Sequence, residues 1–445
     1  MTFEAVIPSL QQDRLRVSPI LRATEMTRSK RGVLGRRRRA GAELSLLSRV
    51  GRTKVDGVKM SLRPARRSRR FRGISFGLAI AVATLGSLIP AGVARASTLD
   101  YSQIVQDEAY WISTAQIPDG CGPASGALAW YPYGSSGLAQ IRPYVANIGA
   151  MGMLAAGPRY YPMVKAWIGW YIAHLNRSDY NGLAGTVYDY DDDPISCTET
   201  TASNAQGQNP SYDSTDAYAG TFLSLLKAYA QADPSEAGYV QSQRGAIRVV
   251  ADVIAANLQS NGLTIARPDY QAQYLMDNVE AEQGLADYAW LSKAVLGDRA
   301  NSRRYEALAR TMRSGINHVL WVGSTTEGMY GWAADQLQPS WSTWYVDSVS
   351  QTWPIRAGLA NPQRRAALWA SFNAAWPEWT STANNPDGSP WCSVGYTAAL
   401  MGDRSDADAF LAGSQTAWVD RGRPWPFTIL DSANRALTAA TVATM

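Results

Sequence analysis

Hydrophobic positions from about residue 97 onward recur with the period of an α-helix, in two kinds of segment that alternate along the chain. Segments of the first kind keep a charged stripe, as a helix with one solvated face does. They are 100–116, 159–175, 236–259, 300–320, 362–374 and 403–418. Segments of the second kind are rich in Ala, Gly and aromatic residues and carry few charges, as buried helices do. They are 143–156, 214–231, 278–296, 347–360, 391–402 and 426–443. The alternation predicts six hairpins, each pairing an outer helix with an inner one.

Six antiparallel hairpins that close into a ring form the (α/α)6 toroid, and we predict this all-α fold for residues 97–445. An open helical solenoid is the alternative, but the segments lack the fixed repeat period of a solenoid. Strand signals are sparse and fall in three long loops, at 117–142, 176–212 and 321–345. Loops of this length inside a compact helical domain are usually functional.

The segment 60–96 has the three parts of a secretory signal peptide in the right order. It opens with a strongly basic stretch, continues with the uncharged run 74–93 and ends in Ala-Arg-Ala. A membrane anchor is the alternative, but Gly77 and Pro90 interrupt the apolar run. We therefore expect cleavage before Ser97 and a secreted, extracellular protein.

Residues 1–59 precede this export signal, carry runs of Arg and show no sustained apolar period. We interpret them as an extension of the gene model, with Met60 as the true start; the alternative is a basic arm that binds nucleic acid or membrane. Residues 1–96 hold 21 of the 42 Lys and Arg and 5 of the 37 Asp and Glu, which leaves 21 basic and 32 acidic residues afterwards. The mature domain is therefore acidic. That charge argues against nucleic-acid partners.

Composition narrows the chemistry of the mature domain. All 16 Trp and 22 Tyr lie after residue 96, against 7 Phe in the whole chain, and such amphipathic rings suit a cleft that stacks on sugars as well as helix packing. Among the three Cys, the loop-like sequence around Cys121 and Cys197 favours these two as a pair over Cys392. Only two His are present, and no Cys/His cluster has metal spacing, so we predict neither a Ser-His-Asp triad nor a metal or cofactor.

Three inner segments have acidic residues at their start. Asp213 and Asp216 precede one helix, Asp277 and Glu280 the next, and Asp347 opens a third. Inner helices of a toroid run parallel, so these N-termini would gather at one end and line a common pocket. The alternative is that each cluster is a capping box, in which Asp accepts backbone N–H bonds and the second acid returns the bond.

Aromatic residues crowd the loops beside these acids. Tyr188, Asp189 and Tyr212 lie in the second loop, Trp130 in the first and Trp344 in the third, and we predict that they bind substrate together with Asp347. Aromatic platforms beside carboxylates suit hydrolysis of a glycosidic bond, in which one carboxylic acid protonates the leaving oxygen and a second carboxylate activates water or attacks carbon. The acidic run at 191–193 could instead form a solvated turn or a calcium site, although its spacing is not that of an EF-hand.

The sequence from Asp213 to Leu223, D-S-T-D-A-Y-A-G-T-F-L, resembles a corner of the six-hairpin glycosidases, an (α/α)6 superfamily, and in particular of glycoside hydrolase family 8. In that family an inner helix opens with Asp-rich sequence followed by an A-Y-A-L-L-like stretch. The resemblance implies a catalytic or sugar-contacting role for Asp213 or Asp216. One departure matters: the family's proton donor is a Glu near the start of the first inner helix, and the corresponding stretch 141–149 holds no acid.

Asp277, Glu280 and Asp189 are the remaining candidates for the proton donor. We predict Asp277 and Asp213 as the catalytic pair, with Asp216 and Glu280 orienting substrate or tuning the pKa of their neighbours. The predicted protein is a monomeric secreted glycoside hydrolase that acts on a polysaccharide or oligosaccharide.

Three other functions stay open at this level. The first is a toroid-type polysaccharide lyase, which would use Tyr188 or Tyr212 as base together with Arg142 or Arg267. The second is a non-catalytic carbohydrate-binding protein, which the missing acid in the first inner helix would permit. The third, an N-acylhexosamine epimerase, is disfavoured because that chemistry typically uses His.

Overall fold

The computed structural model describes residues 99–133, 137–204, 207–324 and 326–445. The predicted export signal and the segment before it lie outside these residues. The described part of the chain is all-α, as predicted, with 13 α-helices. They are α1 Tyr101–Ser113, α2 Pro143–Ala155, α3 Tyr161–Ala173, α4 Thr215–Ala232, α5 Ala237–Ser242, α6 Arg244–Asn257, α7 Leu275–Ala294, α8 Arg299–Gly315, α9 Thr352–Arg356, α10 Pro362–Ala375, α11 Cys392–Leu400, α12 Arg404–Ala417 and α13 Ile429–Val442.

The less charged helices contact one another in cyclic order. α2 contacts α4, α4 contacts α7, and the series continues through α9 and α11 to α13. The last of them, α13, contacts both α2 and α1, so the first and the last hairpins meet. This contact order is the one expected of six inner helices in a ring.

Small residues explain why the inner helices are rich in Gly and Ala. Helices α4 and α7 touch at Gly220 and Gly284, where a Cβ added to Gly284 would lie 2.4 Å from the Gly220 Cα. Helices α2 and α13 approach in the same way, since a Cβ on Gly152 would lie 2.6 Å from the Ala433 Cα. The inner helices therefore pack backbone to backbone, and a side chain at either glycine would push them apart.

Two helical segments differ from the sequence prediction. The segment 236–259 is divided into α5 and α6. The segment 347–360 contains only the short helix α9, preceded by a distorted helical turn at Trp344–Ser348. There the Gln351 side chain binds the backbone N–H and C=O of Tyr330, which ties this part of the chain to a neighbouring loop.

The short strands lie in the three loops where they were predicted. Strands β1 Ala139–Ile141, β2 Tyr190–Asp193 and β3 Thr198–Thr201 form one antiparallel sheet, and β4 Trp321–Gly323 pairs with β5 Gly328–Tyr330. The predicted disulfide is present: Cys121 and Cys197 are bonded and join the first loop to the second. Within the described ranges, no helix is both long and apolar enough to span a bilayer.

Candidate active site

Acidic side chains from two adjacent inner helices meet near their N-terminal ends. Asp216 is in the first turn of α4, and Asp277 is in the first turn of α7. Glu280 follows one turn further along α7. The loop 264–274 joins the two helices, because its Thr264 binds Asp216 and its Tyr274 is the residue before α7. The two clusters that the sequence placed at separate helix starts are thus neighbours in space.

Asp277 is the carboxyl group of this cluster with the fewest hydrogen-bond partners in the described ranges. The residue is 1% exposed, and neither carboxyl oxygen has a hydrogen-bond partner among the residues that the structure describes. Burial raises the pKa of Asp277 well above its ordinary value, and the negative charges of Asp216, Asp213 and Glu280 raise it further. Burial and the neighbouring negative charges therefore both favour the protonated form of Asp277.

Asp216 is fully buried but hydrogen-bonded. Its Oδ2 accepts a bond of 2.6 Å from the Thr264 hydroxyl, and its Oδ1 accepts one from the Ala217 amide. Burial raises the pKa of Asp216 to about 7, although both bonds act in the opposite direction. Asp216 is thus poised to change charge near neutral pH beside Asp277.

Glu280 has one anchored oxygen and one open oxygen. Its Oε1 accepts a bond of 2.7 Å from the Tyr144 hydroxyl and one of 2.8 Å from the Trp353 indole N–H. Its Oε2 is buried without a partner in the described ranges. Burial raises the pKa of Glu280, while the Trp353 and Tyr144 bonds and the Arg356 charge lower it. Side chains of two other helices, α2 and α9, therefore fix the orientation of this carboxylate.

A second acidic pair adjoins the first. Asp189 is 3% exposed, and its Oδ1 accepts a bond of 2.9 Å from the Tyr218 hydroxyl. Burial raises the pKa of Asp189 to about 6, the nearby Arg142 lowers it, and the charge of Asp213 raises it. Asp213 is half-buried and also acts on Asp277. The charge of Asp213 therefore acts on both Asp189 and Asp277, and Asp213 is more exposed than either.

The capping interpretation does not hold for these acids. The N-caps of α4 and α7 are Ser214 and Tyr274, and neither makes a side-chain cap bond. Helix α7 begins three residues earlier than predicted, so Asp277 lies inside the first turn rather than at the cap. Side-chain caps occur at other helices instead: Asp100, Asp298, Asn361 and Asp403 precede outer helices, and Thr428 with Asp431 forms a capping box at α13. The acids at α4 and α7 are therefore not needed to start their helices.

A cavity of about 280 Å³ begins at Glu280 and follows the inner helices away from the cluster. Its lining comes from all six of them. Ile148, Thr221, Glu280, Trp353, Tyr396 and Asn434 represent α2, α4, α7, α9, α11 and α13 in turn. The cavity therefore lies on the axis around which these helices are arranged, with the acidic cluster at one end.

The aromatic residues that were predicted to bind substrate differ from one another in their surroundings. Tyr188 and Tyr212 stack on each other and on Tyr180, with ring centroids 5.3 Å apart for the first pair. Tyr212 is 2% exposed, and its hydroxyl donates to Asp179, so most of this stack is interior. Trp130 is half-buried beneath the guanidinium of Arg142, which binds Asp191 and approaches Asp189.

The third predicted acidic position has a different environment. Asp347 is 8% exposed and accepts a bond from the Ser340 amide, which fixes the loop before it. Trp344 is 4% exposed and packs against Phe372 and Trp376. The contacts found for these two residues thus stabilise the loop 340–348 and do not join it to the cluster around Asp277.

Sequence reasoning missed the residues that act on the acids from other helices. Tyr144, Trp353 and Thr264 bind them, and Arg356 acts through its charge. Arg356 gave the clearest signal, since it is a lone cation in a segment with few charges. In the described ranges, no group of three or more His, Cys, Asp or Glu side chains is arranged to hold a metal ion.

Comparison with known proteins adds a likeness of fold. No protein-family model matches the chain, and no curated protein sequence matches it. A glycosidase variant solved in complex with glucose is similar over 78% of this chain and 97% of its own, at 14% identity and a TM-score of 0.52. The wild-type glycosidase is similar over 77% and 97%, at 15% identity and the same TM-score. At such identities the likeness shows a shared fold alone.

Proposed function

We propose that the protein is a secreted glycoside hydrolase in which Asp277 is the proton donor and Asp213 the second carboxylate. One observation carries the proposal: Asp277 is a buried carboxyl group without a hydrogen-bond partner in the described ranges, among three further acids. A structural carboxylate is normally paired or hydrogen-bonded at such burial. An unpaired one is more readily explained by chemistry.

Glycosidic bond cleavage uses two carboxyl groups in opposite protonation states. Asp277 suits the acid, because burial and the surrounding negative charge raise its pKa and so favour the protonated form, which can donate to the leaving oxygen. Asp213 suits the second group, because it is half-buried whereas Asp189, Asp216 and Asp277 are buried, and because its charge acts on Asp277. Asp216 and Glu280 supply the negative field that holds the proton on Asp277.

The structural likeness supports carbohydrate as the substrate class. Those neighbours are glycosidases, and one of them is in complex with glucose. The same fold can carry several chemistries, so the acidic cluster, and not the fold, decides between them. We continue to expect that the protein is a monomer and has no nucleic-acid partner.

The disulfide supports export through segment 60–96. Cys121 and Cys197 close a loop of 76 residues, and structural disulfides persist in oxidising compartments. We therefore propose that the mature protein acts outside the cytoplasm. Detection of a mature N-terminus at Ser97 in the culture medium of a secreting host would test this.

A lyase fits the observed contacts less well. Burial and the bond to Asp179 raise the pKa of Tyr212, which opposes its use as a base. Burial also raises the pKa of Tyr188, whose hydroxyl accepts a bond from the Tyr180 amide. Arg142 is already occupied by Asp191 and two backbone carbonyls.

The experiment is a reducing-end assay on a panel of polysaccharides, with ultraviolet absorbance followed in parallel. The purified wild type should release reducing ends without new absorbance. Asp277→Ala should lose activity on polysaccharide but keep activity on aryl glycosides with good leaving groups, which need no proton donor. Asp213→Ala should lose both and recover turnover with azide, a small anion that replaces the missing carboxylate.

Asp287→Asn is the matched control, because Asp287 is a 4% exposed aspartate of the same helix that is paired with Lys227. It should keep wild-type activity. Full activity of both alanine variants on polysaccharide would refute the assignment of residues. Growth of absorbance would identify a lyase, and retention on polysaccharide without cleavage would identify a binding protein.

A further inference from the structure

A second aromatic pocket lies at the start of α7, outside the acidic cluster. Its volume is about 610 Å³, and it is lined by residues of two loops, 270–274 and 332–335. Tyr274 and Trp332 stack with their ring centroids 5.9 Å apart. Tyr270 is 46% exposed and Trp332 is half-buried, so ring surface faces the pocket and solvent. Gln271, Gln273 and Asp335 add polar groups at the edge.

The pocket is fixed to the acidic cluster by a single loop. Thr264 at one end of this loop binds Asp216, and its backbone is clamped by the side chain of Asn278 in α7. At the other end, the Leu275 amide donates to the carbonyl of Trp332. Tyr274 precedes Asp277 by three residues, which is about 4.5 Å along the axis of a helix. The pocket and the acids therefore keep a constant separation.

Cationic and aromatic groups continue this surface towards the second loop of the chain. The Arg267 guanidinium lies 5.4 Å from the ring centroid of Tyr270 and 5.9 Å from that of Tyr212. Tyr270 and Tyr274 are 6.2 Å apart. A row of flat groups thus extends from Trp332 past the start of α7.

We propose that this pocket is a distal sugar subsite, which makes the substrate a chain of several sugar units rather than a disaccharide. The proposal rests on the proposed hydrolase function and extends it. Trp and Tyr rings offer an apolar face to the C–H face of a pyranose and keep a polar edge for its hydroxyl groups. The Gln and Asp side chains at the edge supply donors and acceptors for those hydroxyls.

Affinity for sugar chains tests the pocket without needing turnover. Binding of the hexamers of α-1,4-glucose, β-1,4-glucose and β-1,4-glucosamine, and of the matching dimers, would be measured by calorimetry on a reference protein that carries Asp277→Asn, so that the sugar is not hydrolysed during the titration. The other variants would be made in this reference protein. We expect one hexamer to bind more tightly than its dimer. Trp332→Ala and Tyr270→Ala should each weaken hexamer binding about 10-fold and leave dimer binding unchanged.

Tyr110→Ala is the matched control, because Tyr110 is 60% exposed on the outer helix α1. It should bind the hexamer as the reference protein does. Equal affinity of the reference protein for hexamer and dimer, no binding of any hexamer, or unchanged hexamer binding in both pocket variants would overturn the proposal. Weaker binding of the hexamer alone in the pocket variants would support the subsite even if no hydrolysis were found. Failure of the subsite proposal can therefore be distinguished from failure of the hydrolase proposal.

Discussion

Two buried carboxylates in this protein have the same exposure and opposite surroundings. Glu108 in α1 is 1% exposed, and Arg435 in α13 donates to its Oε1 at 2.7 Å. Its Oε2 accepts bonds from Arg423 and Ser432. Asp277 in α7 is also 1% exposed, yet its oxygens have no such partners within the described residues.

The difference separates stability from function. The Glu108–Arg435 pair joins the first outer helix to the last inner helix, 327 residues apart in the chain, and so closes the ring of contacts. Within the described residues no group hydrogen-bonds to the Asp277 carboxyl, and the negative charges of Asp216 and Glu280 disfavour its ionisation. Burial of an ionisable residue is therefore not by itself a sign of an active site. Burial without a hydrogen-bond partner or an opposite charge is such a sign.

Removal of the Arg435 side chain from its ion pair with Glu108 should have the largest effect on stability. Arg435→Met leaves Glu108 buried without its closest partner, and we expect the free energy of unfolding to fall by about 3–5 kcal/mol. Urea denaturation would measure it. Lys165→Met is the control, because its pair with Glu236 is 39% and 26% exposed and should be worth less than about 1 kcal/mol. Equal losses in both variants would contradict the distinction between the two environments.

The buried acid Asp216 should make the folded protein less stable as the pH rises. The pKa of Asp216 is raised from 3.8 to about 7 in the folded state. The unfolded chain therefore loses this proton first, and stability should fall between pH 4 and pH 7 by roughly 2–4 kcal/mol. Asp216→Asn removes this contribution and should flatten the profile. Urea midpoints at pH 4, 5.5 and 7 would show it, and a profile as steep as that of the wild type would contradict it.

The smallest predicted effect concerns the anchored oxygen of Glu280. Tyr144→Phe removes one of its two donors and raises the pKa of Glu280, because that bond lowers it. We expect kcat/KM to fall about 10-fold and the acid limb of the pH profile to move upward. Tyr305→Phe is the control, since Tyr305 donates to Asp252, a residue of α6. An unchanged pH profile in Tyr144→Phe would mean that Glu280 has no part in the chemistry.

Local patterns in the sequence were enough for most of the helices and for the disulfide. A polar stripe distinguishes α8 and α12 from the apolar helices α2 and α11, because a helix with one solvated face keeps polar residues on that face. The acids at 213–216 and 277–280 were also found, since each cluster is continuous in sequence. Their proximity followed once the inner helices were taken as parallel.

The partners of these acids could not be predicted in the same way. Tyr144 reaches Glu280 across 136 residues and Trp353 reaches it across 73, and no local pattern encodes such a meeting. The start of α7 was placed too late because Leu275 and Met276 look like loop sequence before an Asp that would make a good cap. The third acidic corner, around Asp347, differs because the chain there is held by Gln351 and contains only a short helix.

Asp277→Asn tests the central claim most directly, with the free energy of unfolding and polysaccharide hydrolysis measured on the same preparation at pH 7. The substitution keeps the shape of the side chain and removes a buried group that can carry charge. We predict unchanged or increased stability together with a loss of hydrolysis of at least about 100-fold. A loss of stability above about 2 kcal/mol, or hydrolysis at the wild-type rate, would contradict the claim and would make Asp277 a structural residue like Glu108.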